Sequence, residues 1–152
     1  MAQVSTLCEE PLTDVLLDLE LAPSRPHRGV ILVVEDFDDV RLGLAQLLEL
    51  NGFKVQDAAD AEHALDHLHA HPQSFALVLL DLLLPGLSGA DLRALQLADP
   101  QLAAIPTVVM TSCERDVPAY ATLKPAEWLD KPFRWETLLD VVKRYVTPEY
   151  EM

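Results

Sequence analysis

The sequence predicts an α/β fold, a five-stranded parallel sheet with helices on both faces. Three observations predict it. From Gly29 onward, short apolar runs alternate with amphipathic stretches. The runs GVILVV (29–34) and FALVLLD (75–81) carry almost no polar residue, as strands buried on both faces do. Five such runs, each followed by a stretch of helical periodicity, imply right-handed βαβ units.

The elements follow in order. GVILVV is the first strand. DDVRLGLAQLLELNG places Val40, Leu44, Leu47 and Leu48 on one helical face, and Asn51-Gly52 supplies a left-handed stop. FKVQDA is a more polar second strand, expected nearer an edge. DAEHALDHLHAH is a second helix that ends before Pro72. FALVLLD is the third strand. SGADLRALQLA is a third helix, with Ser88 and Asp91 spaced as a capping pair. IPTVVMT is the fourth strand, and a weak helical stretch is expected from Glu114 to Leu123. EWLD is the fifth strand. RWETLLDVVKRYV closes the fold with Trp135, Leu138, Leu139 and Val142 on one face. Before all this, PLTDVLLDLELA places Leu12, Val15, Leu16 and Leu19 at helical spacing, and PSRPHR reads as a Pro-rich linker. The expected organisation is an extension over 1–28, one domain over 29–146 and a tail over 147–152.

With 152 residues, 50% of them hydrophobic, the chain suits one domain with a substantial core. Its net charge of −14, from 25 acidic against 11 basic residues, argues against nucleic acid or an anionic membrane as partner. Cys8 and Cys113 match neither a disulfide framework nor a metal spacing, so reduced thiols in a cytoplasmic protein are expected. The start MAQVSTLCEE lacks a signal peptide's cationic and apolar regions. The longest apolar run, broken by Asp81 and ended by Pro85, falls short of the ~18 residues a membrane span needs.

Asp81 poses the sharpest question, because an unpaired carboxylate in an apolar run is costly to bury. Its strand's carboxyl end resolves it. Ligands of open α/β sheets bind at the carboxyl ends of strands. The first strand ends in Glu35-Asp36, the third in Asp81, the fourth in Thr111-Ser112 and the fifth in Asp130-Lys131-Pro132. Glu35, Asp36 and Asp81 together make a hard oxygen site suited to Mg²⁺, and a bound cation keeps neighbouring carboxylates ionised. An ionised carboxylate can attack phosphorus to give an acyl phosphate. Lys131 and the Thr111 hydroxyl could then receive the phosphoryl oxygens. Taken singly, each residue has a plainer reading as a helix cap, strand end, turn residue or surface charge. Their convergence on one edge carries the functional reading.

The segments ILVVEDFDD, LVLLDLLLPGLSG, VVMTS and LDKPF resemble the four signature segments of the receiver domain of two-component response regulators, in matching order across residues 29–146. The resemblance implies a doubly wound, flavodoxin-like fold of strand order 2-1-3-4-5. It implies phosphorylation of Asp81 by a sensor histidine kinase or a phosphotransfer protein. It implies Mg²⁺ held by Glu35, Asp36, Asp81 and the backbone carbonyl of Leu83. Thr111 matches the switch hydroxyl, Lys131 the phosphate-contacting lysine and Trp128 the aromatic switch position. A cis peptide bond before Pro132 is also implied. There are two Lys-Pro pairs. From Thr111 to Lys124 is too short for a parallel crossover plus a strand, so Lys131 is the lysine chosen.

One stretch departs from the pattern. CERDVPAYATLKPAEW is short, carries Pro118 and Pro125, and lacks the usual glycine before the fifth strand. Proline inside a helix costs ~3 kcal/mol, so a shortened or shifted fourth helix is expected. Only Thr147 to Met152 follow the last helix, so a stand-alone receiver is expected, acting through a downstream protein target. Dimerisation and a relay role both stay open. Two other classes compete. A receiver that never accepts phosphate would be a constitutive binding module. A haloacid-dehalogenase-like phosphatase would need a second Asp where Leu83 stands. Nucleotide binding is weaker still, since no Gly-rich loop follows the first strand.

Overall fold

The structure, a computed structural model, describes residues 28–112 and 118–149. In chain order it contains β1 (Val30–Val34), α1 (Asp38–Leu50), β2 (Lys54–Ala58), α2 (Ala61–Ala70), β3 (Phe75–Asp81), α3 (Gly89–Ala98), β4 (Thr107–Thr111), β5 (Glu127–Asp130) and α4 (Trp135–Lys143). The five strands are all parallel and form one sheet of order β2-β1-β3-β4-β5. The polar second strand lies at an edge, as its composition predicts.

Alternation along the central strands builds two cores. Ile31, Val33, Leu77, Leu79, Val108 and Met110 pack under Leu44 and Leu48 of α1 and Leu138, Val141 and Val142 of α4. Leu32, Val34, Val78 and Leu80 face the other way, onto Ala61, Ala64 and Leu68 of α2 and Leu92 of α3. Residues i and i+2 share a face, so one apolar strand feeds both layers. Burying each large side chain contributes roughly 1.5–3 kcal/mol, which drives the stacking.

Local signals bound the helices, two of them, Ser88–Asp91 and Gly52, at residues the sequence marks. Asp60 caps α2 by accepting from the His63 backbone N–H at 2.8 Å. Ser88 and Asp91 form a reciprocal capping box on α3. Gly52 turns the chain after α1 with φ of 89°. Gly89 opens α3 hard against the end of β3. A Cβ there would sit 2.3 Å from the Asp81 carbonyl oxygen, so only glycine lets α3 pack so close to the site.

The expected face of α1 needs correcting. Leu44 and Leu48 are buried, but Val40 and Leu47 are 39% and 40% exposed. The buried arc is centred toward Arg41 and Ala45, leaving Val40 and Leu47 on its flank. On α4, Val141 joins Leu138 and Val142 in the core, while Trp135 and Leu139 pack half-buried at its margin.

The helix expected over Glu114–Leu123 falls partly on residues 113–117, outside the described residues. Beyond them, Pro118–Tyr120 make a single 3-10 turn, and no helix connects it to β5. Arg93 of α3 holds this connection. Its guanidinium is buried and donates to the carbonyls of Leu123 and Lys124 at 2.8 and 2.7 Å, and to Gln96 Oε1 and Thr107 Oγ1 at 3.0 and 3.1 Å. Burial lowers its pKa, since no described carboxylate lies against it. Among the described residues, no helix is long and apolar enough to cross a membrane. The N-terminal segment with Leu12, Val15, Leu16 and Leu19 lies outside the described residues.

Candidate functional site

Strand register brings the acids together. Val34 is the last residue of β1 and pairs with Leu80, so Glu35 emerges beside Asp81. Asp81 in turn pairs with Met110, and Thr111 with Asp130, so the end of β4 and the turn after β5 share the same edge. Lys131 is tied into it by its backbone N–H, which donates to the Thr111 carbonyl at 2.8 Å. The Lys131-Pro132 peptide bond is cis.

Glu35, Asp36 and Asp81 each offer a carboxylate oxygen within 4.8 Å of the others. Glu35 and Asp81 are buried, at 2% and 5% exposure, and Asp36 is exposed. Lys131 Nζ donates to Glu35 Oε1 at 2.6 Å and to Asp81 Oδ2 at 3.3 Å. The Leu83 backbone N–H donates to Asp81 Oδ1 at 3.1 Å, and the Phe37 N–H to Glu35 Oε2 at 3.3 Å. Burial pulls the Lys131 pKa down, but the Glu35 hydrogen bond and the charges of Asp81 and Glu35 outweigh it, and the net direction is upward. Lys131 therefore stays cationic throughout the physiological range.

One ammonium against three carboxylates leaves the cluster short of positive charge. An all-oxygen donor set with an exposed member fits a hard divalent cation, Mg²⁺ above all. Thr111 is buried at the end of β4. Trp128 of β5 is half-buried and lies 6.4 Å from the Tyr120 ring, tilted by 46°. The structure thus brings Glu35, Asp36, Asp81, Leu83, Thr111 and Lys131 to one edge, with Trp128 inside β5. The other Lys-Pro lysine, Lys124, sits in the connection held by Arg93 and takes no part in the acid cluster.

Two partners escape a reading of the sequence. Arg41 Nη1 donates to the Glu35 carbonyl at 3.1 Å and its Nε to Asp57 at 2.8 Å, fixing the turn that presents Asp36. The contact with Asp57 spans 16 residues and two elements, so no local pattern signals it. The Glu35–Lys131 ion pair spans 96 residues; strand ends bring both residues to one edge, but the direct contact follows from the folded packing.

A 2-1-3-4-5 parallel sheet with buried carboxylates and a lysine at its carboxyl edge defines a receiver-type signalling domain. The chain belongs to the response regulator receiver domain family, which matches residues 31–143. It is 34% identical over 117 residues to the uncharacterized transcriptional regulatory protein YkoG of Bacillus subtilis, covering 74% of this chain and 49% of the relative. It is 37% identical over 106 residues to the transcriptional regulatory protein CpxR of Escherichia coli, covering 68% of this chain and 43% of that protein. The chain spans about half the length of these curated relatives. Among solved structures, a response regulator receiver protein from Pseudomonas putida superposes with a TM-score of 0.69 at 28% identity. That match covers 76% of this chain and 95% of the other.

Proposed function

We propose that this protein is a phosphoacceptor. Asp81 takes a phosphoryl group in a Mg²⁺-dependent transfer from the phosphohistidine of a sensor histidine kinase or a phosphotransfer protein. The carrying observation is Lys131 Nζ bridging Glu35 and Asp81 beside Asp36. In the transfer, an Asp81 carboxylate oxygen forms the new P–O bond as the P–N bond breaks and the imidazole leaves. Lys131 then exchanges a carboxylate for a phosphoryl oxygen, a change its point charge tolerates. Glu35, Asp36, Asp81 and the Leu83 backbone carbonyl would hold Mg²⁺. When bound, the cation neutralises charge on the phosphoryl oxygens.

Phosphorylation adds about two negative charges next to buried carboxylates. Thr111 and Trp128 transmit that change toward the face near the 118–124 connection, where a downstream protein target reads it. The receiver unit is residues 29–146, with 1–28 as an extension and 147–152 as a tail, and it works in the cytoplasm without nucleic acid or membrane.

Incubation with acetyl phosphate and Mg²⁺, read by intact mass, tests this. A phosphate adduct is expected, and Asp81→Asn should abolish it. No adduct on the wild type, together with no response to Mg²⁺ or beryllofluoride, would make the protein a constitutive binding module. Steady turnover of small phosphate esters would make it a phosphatase.

A further inference from the structure

The turn from β1 into α1 carries Glu35 and Asp36, two members of the acid cluster, and one side chain braces it. Arg41 lies near the start of α1, and its side chain is only 11% exposed. Each of its guanidinium nitrogens donates to a different acceptor. Nη1 meets the Glu35 carbonyl at 3.1 Å, Nη2 meets Asp38 Oδ1 at 2.8 Å and Nε meets Asp57 Oδ2 at 2.8 Å. Asp57 belongs to β2, an edge strand, so the fork ties the turn to a second element. Backbone bonds brace the same turn. The Glu35 N–H donates to the Ala58 carbonyl at 3.1 Å, and the Arg41 N–H to the Phe37 carbonyl at 2.8 Å. Glu35 and Phe37, on either side of Asp36, are thereby both pinned, while Asp36 itself is exposed.

We propose that Arg41 is a positioning residue for the cation site, raising its affinity through geometry although its charge acts the other way. The inference rests on the Mg²⁺ reading of Glu35, Asp36 and Asp81. A fixed guanidinium beside those acids repels a divalent cation, so on charge alone Arg41 weakens the site. Pairing with Asp38 and Asp57 offsets that repulsion. The gain is preorganisation. Two adjacent ligands on a short turn must hold one spacing to share an ion with Asp81, and Mg²⁺ tolerates little departure from octahedral geometry. A turn that is free to move loses that spacing and must be ordered whenever the cation binds. Outer partners of this kind change metal affinity by about 10–100-fold. The geometric effect therefore outweighs the charge effect, and the two have opposite signs.

Calorimetric titration of the full chain with Mg²⁺, with no phosphodonor present, reads that sign. Arg41→Gln should raise the dissociation constant about tenfold. The loss of charge alone would lower it. Arg41→Lys keeps the charge but cannot reach all of the fork's acceptors at once, so it should not restore wild-type affinity. A second readout separates positioning from damage. With acetyl phosphate as donor, the Mg²⁺ concentration for half-maximal phosphorylation should rise about tenfold in Arg41→Gln, while the rate at saturating Mg²⁺ stays within about twofold of wild type. Equal or tighter Mg²⁺ binding in Arg41→Gln overturns the proposal. Wild-type affinity in Arg41→Lys overturns it too, since a charge without the fork would then suffice. So does a saturating rate that falls as far as the affinity. Wild-type protein that binds no Mg²⁺ overturns the cation reading itself and this proposal with it, so the two failures are distinct outcomes.

Discussion

Lys131 illustrates how one side chain eases a charge imbalance. Its ammonium meets Glu35 and Asp81 together, and without it two buried carboxylates would face one another uncompensated. Its raised pKa means that its ionic stabilisation is fully present below the ordinary lysine value of 10.5 and is lost only as pH rises above it. Tyr145 gives the clearest alkaline signature. Its hydroxyl donates to Glu127 Oε2 at 2.8 Å, and burial followed by that acidic neighbour pushes its pKa up to about 12. The folded state thus favours the neutral phenol. That contribution is intact below the ordinary value of 10 and disappears as pH climbs through about 12. Ultraviolet titration should therefore show a phenol ionising near 12 that Tyr145→Phe removes. A titration in which every phenol ionises together near 10 would contradict the Glu127 hydrogen bond.

Among the elements, the connection from β4 to β5 is the unusual one. Where a helix would satisfy its own backbone, the Leu123 and Lys124 carbonyls rely on Arg93. Lys124 takes a left-handed φ of 45°, which a helix would not allow. The buried guanidinium is itself satisfied by Gln96 and Thr107, and Gln96 donates onward to the Leu102 and Ile105 carbonyls. Arg93→Met should cost about 2–4 kcal/mol, because it strands several buried acceptors at once. Arg93→Lys should recover only part, since an ammonium cannot span the same fork. Urea denaturation measures both, and a loss below 1 kcal/mol in Arg93→Met would mean that water serves these carbonyls equally well. The contrast with α3 is instructive, because its Ser88–Asp91 box closes locally and needs no distant partner.

For the whole molecule, the acid cluster exists only in the folded chain, so a cation that binds it must stabilise the fold by mass action. Saturating Mg²⁺ should raise the melting temperature, by up to about 2.7 kcal/mol of stability at a hundredfold excess over the dissociation constant. Asp36→Asn should melt higher than wild type without Mg²⁺, through relief of like-charge repulsion, and lose most of the Mg²⁺ response. An equal Mg²⁺ shift in both proteins would place the cation elsewhere.

The sheet, its parallel sense and the edge position of β2 were legible in the hydrophobic runs, because burial on both faces leaves strands such as VILVV no polar residue. Glu35, Asp36, Asp81, Thr111 and Lys131 were legible as positions, because each ends a strand and strand ends share an edge. Three things were not. The flank of α1 left exposed depends on how far α4 and the 131–133 turn reach, and a 3.6-residue period does not encode that distance. The Arg41–Asp57 and Arg93–Leu123 bonds join residues 16 and 30 apart, beyond any local pattern. Local chemistry wrote the elements and the chemical groups at their ends. Only the tertiary packing decided which groups meet, because contact between distant residues follows from how the layers stack and not from the order of the chain.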